Sequence, residues 1–162
     1  MIARGPREPG QQSPRFQALP QRCDDFESHP APLDQTETTR AISRYKEFLE
    51  LYPEHKRAAE ARQRMEALND RLAEKRWRNG RLYYRLKQYN AAEYYFRSVI
   101  SGYPKSPWAS ESQLLLADVL IRRKKPQEAA QVLRAVGESV ASADVKRRAE
   151  KRLREIKGED DP

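Results

Sequence analysis

Chemistry-bearing residues are scarce in this chain. It has one cysteine, Cys23, and two histidines, His29 and His55, in 162 residues. A single thiol excludes an intramolecular disulfide framework and a cysteine zinc site. Two histidines in separate segments leave no Ser-His-Asp or Cys-His arrangement to assemble. Cys23, Asp24, Asp25 and His29 are the one imaginable ligand set, and their proline-rich surroundings offer no scaffold to hold a geometry. Glycines number only six and form no phosphate-cradling loop. No apolar run reaches the roughly 18 residues of a membrane span, and the start "MIARGPREPGQQSPRF" lacks a signal peptide's apolar stretch. The plentiful carboxylates are scattered beside Arg and Lys, as on ordinary solvated helix faces. We therefore expect no catalysis, no cofactor, no metal and no small-molecule substrate. As written, the chain reads as soluble and unexported.

What is abundant is charge. Thirty-two Lys and Arg against 24 Asp and Glu give a formal net charge of +8, which suits an acidic protein partner, anionic lipid or nucleic acid. Nucleic acid is not expected: the cations alternate with Glu along stretches such as "EARQRMEALNDRLAEKRWR", and no nucleic-acid motif occurs. Charged residues at 35%, hydrophobic residues at 38% and few glycines favour a thin helical fold over a sandwich or a thick globule.

Residues 1–34 hold six of the eleven prolines and show no helical or strand period, so they read as a flexible lead segment. Order is expected from about residue 35, where "DQTE" offers a capping box with Asp34 as N-cap and Glu37 reaching back. Ala41, Ile42, Tyr45, Phe48, Leu49 and Tyr52 then follow helical spacing up to Pro53. No proline interrupts residues 54–103, and Ala61, Met65, Leu68 and Leu72 keep the stripe going. The spacing predicts one long helix from about 57 to 86, a turn near Lys87 and a helix through Ser101. Two more helices open on Pro107 and Pro126, positions where a missing N–H costs little, with Ser106 able to cap the first. Val145, Ala149, Leu153 and Ile156 mark a basic amphipathic helix ahead of an acidic tail at 158–162.

Within this all-α chain, residues 81–109 hold six of the eight tyrosines. Gly80, Tyr83, Ala92, Phe96 and Pro104 stand at the separations of the tetratricopeptide pattern, so the expected fold is a repeat solenoid of antiparallel helix pairs over 35–157. Gly80 and Ala92 lack bulk where paired helices touch most closely, Tyr83 and Phe96 fill the gaps beside them, and Tyr89 covers the turn. A shift of 37 residues gives Ala117, Leu120, Ala129, Leu133 and Val136. A shift back of 51 gives Ala41, Tyr45, Phe48 and Pro53, a leading half pair. The uneven step implies that the first half of the long helix packs on the N-terminal helix. Similarity to the tetratricopeptide fold places Trp77, Arg81, Tyr84 and Arg85, then Leu114, Asp118, Ile121 and Arg122, on the concave face as candidate partner-binding residues. Arg and aromatic anchors are the residue types that interfaces favour; packing of Trp77 under the N-terminal helix is the alternative.

The phrases "SPRF", "DQTETTRAISRYKEFLELYPE", "LNDRLAEK" and "LYYRLKQYNAAEYYFRSVISGYPKSPWASES" resemble the C-terminal half of the BamD family of outer-membrane assembly lipoproteins, in the form found in Bacteroidota-like bacteria. The resemblance covers about residues 35–130 together with the isolated "SPRF". It implies a non-catalytic periplasmic scaffold, lipid-anchored to the outer membrane, that binds the POTRA domains of the barrel-inserting subunit alongside other assembly lipoproteins. It further implies that "LKQYNAAEYYFRSVISGYP" faces that partner. The family's lipid-accepting cysteine is not expected here, because Cys23 follows "ALPQR" without an apolar lead or a small residue. Two other readings stay open: a general, cytoplasmic adaptor taking a peptide in its groove, and a regulator working through basic RNA contacts. For the adaptor, Glu74, Trp77 and Arg81 stand where carboxylate-clamping repeats carry Lys and Asn.

Overall fold

A computed structural model describes residues 35–138 and 141–159. The proposed cap Asp34, the lead segment with Cys23 and His29, and the last tail residues lie outside the described part. Every described element is an α-helix: α1 Thr36–Leu51, α2 Ala58–Arg85, α3 Tyr89–Gly102, α4 Pro107–Arg122, α5 Pro126–Glu138 and α6 Ala143–Glu159. The chain divides within α1 into residues 1–41 and 42–162. Of the first unit, residues 35–41 are described, and residues 36–41 form the opening turns of α1.

In the second unit, short turns fold α2 back onto α3 and α4 back onto α5. Close packing runs α2–α3, α3–α4, α4–α5 and α5–α6, with additional contacts α2–α4 and α4–α6. From α2 onward each helix thus meets its successor, and each first helix of a pair also meets the next first helix, the arrangement of a tetratricopeptide-like solenoid. The expected seating of the front half of α2 on α1 is not among these close pairs. The C-terminal end of α1 instead ties to the connection that follows, where Phe48 meets His55 edge-on with centroids 5.5 Å apart.

Both pairs turn in the same way. The Lys87 N–H donates to Tyr84 O and Gln88 N–H to Tyr83 O, and 37 residues on, Lys124 N–H donates to Ile121 O and Lys125 N–H to Leu120 O. These are Schellman closures that satisfy the last carbonyls of α2 and α4. Their αL residues are Lys87 and Lys124, at φ 59° and 60°, where glycine would carry less strain. The expected cap of α4 forms, with Ser106 Oγ accepting from Trp108 N–H at 3.4 Å and Pro107 beginning the helix.

The core is the repeat phasing made solid. Ala92, Phe96, Ala117, Leu120, Ala129, Leu133 and Val136 are all essentially buried, and Tyr83 and Tyr89 pack half-buried against them. Tyr83 stacks on Tyr95 at 5.3 Å with their planes 10° apart, which places those two rings between helices; Tyr94 is left outside at 69% exposed. A Cβ built on Gly80 would lie 2.7 Å from Phe96 Cε1, so the ring occupies the space that glycine vacates. Pro104 is exposed, two residues beyond the end of α3 at Gly102.

Candidate functional site

The eight expected groove residues divide sharply. On α2, residues at positions 77, 81, 84 and 85 fall on one side of the helix. Trp77 is half-buried, its ring 4.5 Å from that of Trp108 and inclined by 43°. The exposed Arg81 guanidinium lies 4.7 Å above the Trp77 ring, giving a layered cluster Arg81–Trp77–Trp108. Cation–π contacts at such exposed positions contribute about 0.5–1 kcal/mol. The buried Trp77 Nε1–H has no hydrogen-bond partner among the described residues. Trp77 is thus mainly a packing residue between α2 and α4, a correction to its expected role as a free anchor, and Arg81 is the group presented to solvent. Tyr84 is half-buried against Tyr89, centroids 6.0 Å apart, while Arg85 is exposed.

On α4 the expected groove is largely covered. Leu114 is completely buried; it is core, and its assignment to an open face is corrected. Asp118 is clamped by Arg152 of α6, with Nε to Oδ1 at 2.9 Å and Nη2 to Oδ2 at 3.0 Å. Glu111 is held by Arg148 in the same forked way, at 2.8 and 3.2 Å. Ile121 packs half-buried against the core, and only Arg122 is freely exposed. The cause is α6. It begins 36 residues after α4, almost one repeat step, and so takes the place of a third first-helix and lies across the side of α4 that would line the groove. Its outward residues, including Arg147, Glu150, Lys151 and Arg154, are polar and exposed.

The two Arg–carboxylate forks are residues that sequence reasoning missed. The signal was present: Arg148 and Arg152 lie one turn apart, and they stand 37 and 34 residues after Glu111 and Asp118. Partial burial of Asp118 pushes its carboxyl above the ordinary value, and the Arg152 guanidinium pulls it back only in part. The folded state therefore holds this proton more tightly than the unfolded chain does. Its contribution to stability is present below the ordinary value of 3.8 and is lost as pH rises through the folded pKa. Arg152→Met, which leaves the carboxylate desolvated and unpaired, is expected to cost about 1–3 kcal/mol at neutral pH and to raise the Asp118 pKa further, read by NMR titration. Asp118→Leu with Arg152→Leu should recover most of the loss. An Asp118 titration unmoved by Arg152→Met would show that the fork does not form in solution.

The opposite side of the solenoid carries an open groove of about 600 Å³ between α3 and α5, floored by Leu116 and lined by Tyr94, Ser98, Ile100, Val132 and Ala135. Ser98 Oγ donates to Tyr95 O at 2.7 Å and Ser101 Oγ to Arg97 O at 3.0 Å. Both hydroxyls are spent on their own helix, so the α3 wall presents mostly carbon. Beside it Glu93 accepts from Arg97 at 2.8 Å and from Arg123, tying α3 to the turn after α4. Among the described residues no group of three His, Cys, Asp or Glu side chains could hold a metal ion, and no helix is long and apolar enough to cross a membrane.

Stacked helix pairs with small residues at the crossings and Arg81, Arg85 and Tyr94 toward solvent define a helical-repeat protein of the tetratricopeptide type. Residues 15–131, more than two thirds of the chain, match the family model YfiO, outer membrane lipoprotein. The chain belongs to this family, a BamD-like, non-enzymatic family of outer-membrane assembly. A search of the curated proteins finds no match.

Proposed function

We propose that the chain is a non-catalytic scaffold of the β-barrel assembly machinery at the periplasmic face of the outer membrane, binding the POTRA domains of the barrel-inserting subunit. The family match over residues 15–131 is the observation that carries this reading. The apolar groove beside α3 supports it, because the segment that resemblance turns toward the partner supplies the groove's first wall. Tyr94, exposed at its lip, gives such a contact an aromatic anchor. The net charge of +8 would speed encounter with an acidic partner.

The competing adaptor reading needs a peptide groove running across two repeats. Half of that groove is filled, since α6 clamps Glu111 and Asp118 and Leu114 is buried.

Calorimetric titration of the full chain with the POTRA domains of its host's barrel-inserting protein tests the proposal. Saturable binding weakened about tenfold by Tyr94→Ala is expected, tenfold being 1.4 kcal/mol, with Arg81→Glu nearly neutral. Absence of binding refutes the scaffold reading. Binding abolished by Arg81→Glu and indifferent to Tyr94→Ala would move the contact to the concave side.

A further inference from the structure

The repeat step picks out an exposed apolar place on α2. Ser112, Leu116 and Val119 of α4 are buried, and Arg123 just beyond is half-buried and ion-paired to Glu93 of α3. One step of 37 residues later, Ala149, Leu153 and Ile156 of α6 are buried or half-buried where α6 packs on α5. In both cases the side of a first helix is covered by the second helix of the preceding pair. One step earlier, the equivalent positions on α2 and just past its end are Lys75, Asn79, Leu82 and Leu86. There Lys75 and Asn79 are half-buried, while Leu82 and Leu86 are 45% and 57% exposed. Among the described residues, no helix covers the last turns of α2 as the counterparts are covered.

Charge says what kind of helix fits. Arg71, Arg78 and Arg85 fall at heptad spacing, all exposed, on the flank of the Leu82 and Leu86 stripe. Arg78 carries a partner in cis, Glu74 at 2.6 Å, yet its side chain stays 71% exposed. Flanking charges in a row beside an apolar seam select a partner helix of opposite sign. A second copy of this chain is disfavoured, because its last helix presents Arg147, Lys151, Arg154 and Lys157 to solvent, like charge facing like. We infer that this face of α2 docks an acidic amphipathic helix of a partner protein, laid along α2 as α3 lies along α4. It is separate from the POTRA contact proposed above.

A synthetic helix of about three heptads, with Leu on one face and Glu on both flanks, is the probe, fluorescently labelled and titrated with the full chain by anisotropy. Saturable binding is expected, at least tenfold weaker for Leu82→Ser with Leu86→Ser. The charge-reversed variant Arg78→Glu with Arg85→Glu should lose this peptide and gain its Lys-flanked counterpart. Because all four side chains are exposed, both variants should melt with wild type, and the arginine pair decides if the leucine pair does not. Binding indifferent to the leucine changes, or equal for Glu- and Lys-flanked peptides, overturns the inference. So does a wild-type dimer in sedimentation that the leucine variant fails to form, which would make a second copy the occupant. Tyr94 lies on a different helix, so failure here leaves the POTRA reading standing, and the reverse.

Discussion

Gly80→Leu should lower the melting temperature by about 5–15 °C, the equivalent of about 1–3 kcal/mol of overpacking in a domain this size. Even a single Cβ at this site would come within 2.9 Å of Phe96 Cδ1 and closer still to Cε1, below any real carbon contact. Leucine gains about 1 kcal/mol of helix propensity over glycine, and the clash must exceed that gain for the loss to appear. Phe96 is fully buried, so its ring has nowhere to yield. The second pair shows the cure, carrying Ala117 and Leu133 at the equivalent positions, both buried. Gly80→Ala with Phe96→Leu should therefore be more stable than the sum of the two single changes, a coupling measurable in a double-mutant cycle. Additive effects would show that the two residues do not meet as the phasing requires.

Leu114→Ala should destabilise by about 2–5 kcal/mol in thermal or urea unfolding. Leu114 has no exposed surface, and the Cβ left behind would face a cavity between α4 and its neighbours. The same substitution at an open groove position would leave stability nearly untouched and weaken a partner instead. The two outcomes separate a groove residue from a core residue. Arg122→Ala, one of the few exposed members of the expected set, provides the control and should shift stability by about 0.5 kcal/mol or less.

Local patterns survived into the structure because they depend on neighbours in the chain. Helix ends follow from Pro53, Ser106, Pro107 and Pro126, and the turn at Lys87 from the break between two apolar stripes. The crossings follow from Gly80 and Ala92, whose small size has meaning only when a second helix lies close. The candidate site was less legible. Arg81, Arg85 and Arg122 are exposed as expected, but Trp77 and Leu114 are drawn into packing. An apolar residue at a groove position is indistinguishable in sequence from one at a buried position, since both follow the same 3.6-residue period.

By itself the sequence determined an all-helical chain, the 37-residue step and the side of each helix that packs within its own pair. Those are properties of spacing and residue size within about one repeat. Only the tertiary structure decided that α6 takes the place of a third first-helix and locks Glu111 and Asp118 with Arg148 and Arg152, closing half of the concave side. Only there do Leu82 and Leu86 of α2 emerge exposed, with no helix among the described residues covering them. Both outcomes depend on which helix reaches which surface across more than thirty residues, and helical periodicity, which fixes a face but not its neighbour, carries no such information.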